Sequence, residues 1–138
     1  MNLVYLLDTN TISEPLKERP NQKIIENIEL FDGKIAIASF VVYEMVRGLY
    51  LLPESKKRLK VLDYIDSVLV KFPVLSYTQE AARWHGEEVA RLQNAGKIPQ
   101  FIDAQIAAVA KTNHLILVTR NTTDFQNFAD LSLESWFD

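Results

Sequence analysis

The sequence predicts a three-layer α/β fold in which a central, mostly parallel sheet of four or five strands is flanked by helices. Two observations lead to this prediction. Short apolar runs of strand length alternate along the chain with longer segments of helical period. The short runs are apolar at nearly every position, which is typical of strands that are covered on both faces of a parallel sheet. Right-handed helical crossovers are expected to join strands of this kind.

Four strands and five main helices follow from the pattern. The strands are predicted at residues 3–7, 35–38, 72–75 and 115–119. The helices are predicted at residues 21–31, 40–52, 54–69, 78–94 and 102–112. Asn21, Ser39 and Thr78 stand at expected helix starts, where their side chains can cap free backbone N–H groups. Pro15 predicts a short or kinked helix after the first strand.

The composition is that of one ordinary globular domain, expected to span residues 1–138. Of the 138 residues, 48% are hydrophobic and 24% are charged. The chain has no cysteine, which excludes disulfides, cysteine-type zinc sites and thiol nucleophiles and favours a reducing cytoplasm. The first apolar run meets Asp8 too early for a secretory signal, and no apolar run is long enough to span a membrane.

The charge balance allows a nucleic-acid partner, although the net charge is -3. A negative net charge ordinarily argues against a polyanion partner. The chain carries 15 Lys and Arg against 18 Asp and Glu, so gathering four acids around a cation would leave the other charges nearly balanced. The composition therefore excludes neither RNA nor DNA.

Four carboxylates are predicted to meet at one edge of the sheet. Ligand sites of parallel sheets lie beyond the carboxyl ends of the strands. Asp8 directly follows the first strand, and Glu44 lies early in the helix after the second strand. Asn121 and Asp124 follow the fourth strand. The helix that carries Asp103 leads into that strand, so its N-terminus is expected at the same edge.

Clustered carboxylates predict a metal site. Two unit charges 4 Å apart repel each other by about 4 kcal/mol at an effective dielectric constant of 20, so several ionised acids need a cation. Oxygen-only ligands select a hard ion such as Mg²⁺ or Mn²⁺. One or two ions of this kind serve phosphodiester hydrolysis, and the pattern leaves their number open.

Each acid also has a purely structural interpretation. Asp8 can cap a helix, and Asp103 can oppose a helix macrodipole. Glu44 can pair with Arg47 one turn along. The helix around it is largely apolar and is expected to be largely buried, which favours a functional partner for Glu44. Asp124 can close a turn. The joint placement of the four acids favours a common site over four separate explanations.

Four segments carry a family likeness. They are LLDTN at residues 6–10, Glu44 with Gly48, DAQIAAVA at 103–110 and LVTRNTTDF at 117–125. In this order and spacing the chain resembles the PIN-domain ribonucleases of the VapC toxin type. The resemblance implies a three-layer PIN-like fold and an endoribonuclease that depends on Mg²⁺, with Mn²⁺ as a substitute.

The resemblance also suggests which residues hold the metal and which molecules are partners. By position, Asp8, Glu44 and Asp103 correspond to metal-binding acids of the family. Many relatives have an acid where this chain has Asn121, and the nearest acid here is Asp124. Either Asn121 supplies a neutral oxygen or hydrogen bond, or Asp124 reaches the metal through a water. The implied partners are an RNA substrate, with tRNA or rRNA favoured, a cognate antitoxin and a second copy of the chain.

Two other functions are weighed against the nuclease. An aspartyl-phosphate phosphatase also places an Asp after its first strand, but it needs a second acid where this chain has Asn10. A catalytically idle PIN-like module would bind a protein or nucleic acid without needing a cluster of acids. The helix at residues 40–52 is more apolar than one buried stripe requires, so part of it is expected to face another chain, either a second copy or an antitoxin segment.

Overall fold

Five short parallel strands form the centre of the computed structural model, which describes residues 2–137. They are β1 (Tyr5–Leu7), β2 (Ile35–Ala38), β3 (Val74–Leu75), β4 (Ile116–Val118) and β5 (Leu133–Glu134). Their spatial order is β3-β2-β1-β4-β5, and every neighbouring pair is parallel. The α/β class expected from the sequence is confirmed, and the sheet is entirely parallel within the described residues.

Seven α-helices connect and cover the strands in the described part of the chain. They are α1 (Thr9–Ser13), α2 (Gln22–Leu30), α3 (Ser39–Leu51), α4 (Lys56–Lys71), α5 (Gln79–Asn94), α6 (Phe101–Thr112) and α7 (Thr122–Phe125). The five predicted main helices correspond to α2 to α6, with ends that differ by one or two residues. The short element expected near Pro15 is α1 followed by a 3₁₀ turn at Glu14–Leu16, because proline cannot continue the α-helical hydrogen bonding.

Side-chain caps set most of the helix starts. Asn21 accepts hydrogen bonds from the first turn of α2, and Thr78 accepts one from the N–H of Ala81 in α5, as predicted. The predicted cap at Ser39 is wrong. α3 begins at Ser39 itself, and the preceding cap position is held by Ala38, which has no side-chain acceptor.

The core lies between the sheet and its covering helices. Leu6, Ala36 and Leu117 on the three central strands are fully buried. In α6 the residues from Ala104 to Ala110 are all buried, so this helix is enclosed on every side. Small alanine side chains allow neighbouring elements to approach it closely, and α3, α5, α7 and β4 all pack against it.

The strand β5 was not predicted. It has only two residues, and its backbone N–H and carbonyl groups pair with β4 in the register Leu117 to Leu133. Trp136 lies two residues after β5 and is buried against the rings of Tyr5 and Phe31, with ring centroids 5.2 and 5.5 Å away. The burial of this tryptophan anchors the end of the chain at the sheet edge.

None of the helices between residues 2 and 137 has the length and apolar character that a membrane crossing requires.

Candidate active site

Parallel pairing brings two strand ends together at the candidate site. β1 ends at Leu7 and β4 ends at Val118, with these two residues in register. The next residue, Asp8, donates its backbone N–H to the carbonyl of Val118 at 3.0 Å. Because α6 precedes β4 and returns along it, the N-terminus of α6 lies at this same edge of the sheet. The topology therefore gathers the predicted acids from segments far apart in sequence.

Asp8 combines a structural role with a free oxygen. It is buried, and its Oδ1 accepts a hydrogen bond of 2.9 Å from the N–H of Thr11. This is the helix cap that the sequence allowed. Within residues 2–137 the second oxygen, Oδ2, accepts no hydrogen bond, so capping uses only half of the ligating capacity of this carboxylate.

Glu44 has a partner that sequence reasoning did not identify. The hydroxyl of Thr9 donates to its Oε1 at 2.5 Å. The alternative ion pair with Arg47 is wrong, since no nitrogen of Arg47 lies within 4.0 Å of a carboxylate in the described residues. The hydrogen bond joins the first residue of α1 to the middle of α3, and the two helices pack against each other.

The expectation that Glu44 lies on a largely buried helix is also wrong for the single chain. Glu44 is partly exposed, and the buried positions of α3 are Val41, Met45 and Leu49. These three residues are spaced by four and form one stripe against the core. Of the other apolar residues of α3, Tyr43, Tyr50 and Leu51 are exposed, whereas Phe40, Val42 and Val46 are partly buried.

The pKa of Asp103 is affected by the charges of the three other predicted acids. It lies half-buried in the first turn of α6. Burial raises its pKa above the ordinary value, and the negative charges of Asp124, Asp8 and Glu44 raise its pKa further. Carboxylates that follow β1 or lie on α3 and α7 thus act electrostatically on one carboxyl group of α6. Within residues 2–137 none of these four carboxylates forms an ion pair.

The candidate residues after β4 are more exposed than Asp8 and Asp103. Asp124 is exposed in the short helix α7, which packs against α6, and its charge reaches Asp103. Asn121 is exposed and occupies the cap position of α7, where the described residues provide no side-chain cap hydrogen bond. Its backbone N–H donates to Oγ1 of the buried Thr119 at 3.1 Å. The backbone carbonyl of Asn121 accepts a hydrogen bond of 3.0 Å from the N–H of Asp124. Asp124 therefore has an electrostatic link to the cluster, and Asn121 is joined through its backbone to Thr119 and Asp124.

The donor chemistry of the cluster fits a hard divalent cation, but the side chains do not form a closed cage. All the candidate donors are oxygens, which Mg²⁺ and Mn²⁺ prefer. Within residues 2–137 no three Asp, Glu or His side chains are close enough together to enclose an ion. Mg²⁺ characteristically keeps several waters and uses only one or two carboxylates directly. An open, negatively charged edge of this type is compatible with such an ion.

Two arginines that follow candidate acids or strand ends, Arg47 and Arg120, differ in their surroundings. Arg120 stacks its guanidinium over the ring of Phe137 at 4.9 Å, so it serves the local structure. Arg47 is exposed on α3, one turn after Glu44, and makes no ion pair in the described part of the chain. Arg47 is thus the cation beside the acids that is available to a ligand.

Comparison with known proteins decides the family. A model of the PIN domain matches residues 5–131. The chain belongs to the PIN domain family. The family and the three-layer fold that the sequence predicted are both confirmed.

Relatives of this PIN domain match it over nearly its whole length. A tRNA(fMet)-specific endonuclease VapC from Shigella flexneri is 31% identical over 134 residues, which are 97% of this chain and 98% of that protein. The structure of FitAcB from Neisseria gonorrhoeae matches with a TM-score of 0.89 at 28% identity, covering 97% of this chain and 99% of that chain. DNA-bound VapBC from Salmonella typhimurium matches with a TM-score of 0.85 at 28% identity, covering 97% and 98%.

Two threonines of this PIN domain contribute more than the sequence indicated. The Thr9 hydroxyl donates to Glu44, and the hydroxyl oxygen of the buried Thr119 accepts the backbone N–H of Asn121. The signal that the sequence offered was their position within two residues of the ends of β1 and β4. The sequence pattern could not predict the partner of Thr9, because Glu44 lies 35 positions away along the chain.

Proposed function

We propose that this PIN domain is a divalent-metal-dependent endoribonuclease and the toxin of a toxin–antitoxin pair. The observation that carries the proposal is the raised pKa of Asp103, which the charges of three carboxylates from three other segments increase. Ionised acids that lie close together repel one another and lower the stability of the fold unless a cation binds between them. The VapC endonuclease of Shigella flexneri, similar over 97% of this chain, supports the reaction class.

The proposed metal ligands are Asp8, Glu44 and Asp103, with Asp124 and Asn121 beside them. The free Oδ2 of Asp8 suits this role, because its Oδ1 is engaged by the helix cap. When bound, Mg²⁺ or Mn²⁺ lowers the pKa of a water and offsets negative charge on the RNA phosphate. Asp124 is assigned a contact through water, since it is exposed on α7.

The protein groups orient the substrate and exclude a covalent route. Arg47 is proposed to bind an RNA phosphate, which it can reach without breaking an existing ion pair. Cysteine is absent from the sequence, and the cluster consists of carboxylates. In the proposed reaction a water attacks the phosphorus, the carboxylates hold that water and accept its proton, and a P–O bond of the RNA breaks as the leaving sugar oxygen takes up a proton from solvent water.

A protein partner is proposed for the exposed apolar surface of α3 and α4. Tyr50, Leu59 and Leu62 are exposed there around a cleft of about 330 Å³, and Leu51 is exposed on the same helix as Tyr50. An amphipathic antitoxin segment would bury these side chains. The FitAcB and VapBC structures are complexes of similar chains, and a second copy of this chain is the proposed partner at Tyr43. We place this activity in the cytoplasm.

The decisive experiment is cleavage of natural RNA by purified protein that has been freed of any bound partner. Total tRNA and rRNA are incubated with Mg²⁺ or Mn²⁺, with EDTA and with the Asp8→Asn variant as controls. Asparagine can still accept the Thr11 hydrogen bond, so this variant removes the charge and keeps the cap. Discrete fragments that disappear in both controls are expected, with tRNA as the favoured substrate.

Intact RNA in a folded, metal-loaded preparation would overturn the nuclease. The idle PIN-like module would then be the better description of the chain. Fragments that persist in EDTA or in Asp8→Asn would instead show that the activity arises elsewhere.

A further inference from the structure

We infer that Thr9 is a positioning residue that holds the Glu44 carboxylate toward the proposed metal, an inference that rests on the proposed function. The observation is the hydrogen bond from the Thr9 hydroxyl to Oε1 of Glu44. Thr9 makes this contact from the position directly after Asp8. The hydroxyl thus ties Glu44 to the residue next to Asp8, the other proposed ligand acid.

The Thr9 end of this hydrogen bond is rigid. Asp8 is buried, its backbone N–H bonds to Val118 across the sheet, and its side chain caps α1. Thr9 is the first residue of α1 and is also β-branched, which restricts its side-chain rotation. Its hydroxyl is therefore fixed relative to the carboxyl ends of β1 and β4.

The Glu44 end of the hydrogen bond is free to move without it. A glutamate side chain has several rotatable bonds, and Glu44 is only partly buried on α3. In residues 2–137 the Thr9 hydroxyl is its one hydrogen-bond donor, and Arg47 does not pair with it. Thr9 thus selects one Glu44 conformation from several.

The two carboxylate oxygens of Glu44 differ in their hydrogen bonding. Oε1 accepts the Thr9 hydroxyl, and Oε2 has no hydrogen-bond donor in the described residues. Asp8 shows the same division between Oδ1 and Oδ2. Each acid is anchored through one oxygen and leaves the other for the cation. Loss of a group that orients a metal ligand typically lowers metal affinity or activity by about 10–100-fold.

The test compares the affinity of Thr9 variants for Mn²⁺ alone, measured by titration calorimetry and by the electron paramagnetic resonance signal of free Mn²⁺. Thr9→Val keeps the side-chain shape and removes the hydroxyl, whereas Thr9→Ser restores the hydroxyl. We expect Thr9→Val to weaken Mn²⁺ binding by about tenfold or more and Thr9→Ser to stay within a few-fold of the parent protein. Thr112→Val, which removes a hydroxyl bonded only to its own helix at Ala108, is the matched control and should bind normally.

Melting of the metal-free variants separates positioning from folding. Thr9→Val should melt close to the parent protein, and Thr9→Ala provides the same hydroxyl loss should the valine variant fail to fold. In the RNA assay Thr9→Val should lower kcat at saturating Mn²⁺ and leave KM for RNA nearly unchanged. A purely structural role would lower the melting temperature and would not lower kcat while KM stays unchanged.

The Asp8→Asn variant makes failure of this inference distinguishable from failure of the proposed function. Weak Mn²⁺ binding by Asp8→Asn together with normal binding and normal kcat in Thr9→Val would overturn the role of Thr9 and leave the metal site intact. Unchanged Mn²⁺ binding in Asp8→Asn would overturn the metal site itself and the role of Thr9 with it.

Discussion

The backbone N–H of Asp8 donates to the carbonyl of Val118 at 3.0 Å, which locks the ends of β1 and β4 together at the candidate site. Val118 is fully buried and Asp8 is nearly so. The candidate ligand is therefore continuous with the core of the sheet. Its position is determined by strand pairing, and the acids on α3, α6 and α7 are brought to it by the helices that pack around the sheet.

Removing the charge of Asp8 is expected to stabilise the metal-free protein. Asp8→Asn deletes one of the three carboxylates whose charges raise the pKa of Asp103. The melting temperature without metal should rise by a few degrees, and most of the gain from added Mg²⁺ should disappear because the variant binds the ion weakly. Differential scanning calorimetry with and without Mg²⁺ measures both effects.

Asp66→Asn is the matched control for this prediction, because Asp66 is exposed on α4. It should change neither the metal-free melting temperature nor the response to Mg²⁺. A metal-free Asp8→Asn protein that melts at or below the parent temperature would show that the four acids do not repel one another appreciably.

Glu88 is expected to contribute stability that is lost in acid. The hydrogen bond from Arg91 is the largest cause that lowers its pKa below the ordinary 4.5, and a second comes from the N–H of Ala129. Burial opposes both. A lowered pKa in the folded state gives stability that is present above the unfolded value and disappears as the pH falls through the folded value. Glu88→Gln should lower the free energy of unfolding by about 1–3 kcal/mol at neutral pH.

Urea unfolding at neutral pH and at about pH 3 checks the sign of this pH effect. The difference between Glu88→Gln and the parent protein should shrink as the pH falls, because the stability that comes from a lowered pKa is lost as Glu88 takes up a proton in the folded state. The neighbouring Glu87 is exposed, and Glu87→Gln is the control that should track the parent protein at both pH values. A gap that stays constant with pH would contradict the charged hydrogen bond.

Trp136 is expected to be essential for the edge of the sheet at β5. It is 2% exposed and packs against Tyr5 and Phe31. Trp136→Ala should lower the free energy of unfolding by about 3–5 kcal/mol, because it leaves a large cavity. Trp84 is only partly buried against Phe128, so Trp84→Ala should cost clearly less. Equal losses for the two variants in denaturant unfolding would contradict the anchoring role of Trp136.

Arg47 is expected to bind an RNA phosphate. Arg47→Ala should raise KM for RNA and reduce the slope of log KM against log salt concentration by about 0.7, the value for one phosphate contact with a single strand. Lys34→Ala is the charge-matched control, since Lys34 is exposed just before β2, at the opposite edge of the sheet from the acids. Equal salt slopes for Arg47→Ala and the parent protein would rule out this contact.

Much of the site could be predicted because its acids follow from topology. Asp8 directly follows β1, Asp124 lies in the short helix after β4, and Asp103 lies in the first turn of the helix that returns to β4, so a parallel sheet was enough to place them at one edge. Their roles as ligands, and the extent of the domain over residues 1–138, stay predictions. The burial expected around Glu44 was wrong, because an apolar helix sequence does not show which of its faces is buried.

The sequence by itself determined the alternation of strands and helices, the edge at which the acids collect and the family of the chain. These features depend on local periodicity and on the order of elements, which are written along one chain. Only the tertiary structure decided that Thr9 pairs with Glu44, that Arg47 stays unpaired in the described residues and that β5 completes the sheet. Such contacts join residues far apart in sequence, and side-chain packing across the fold, which local patterns do not encode, selects them.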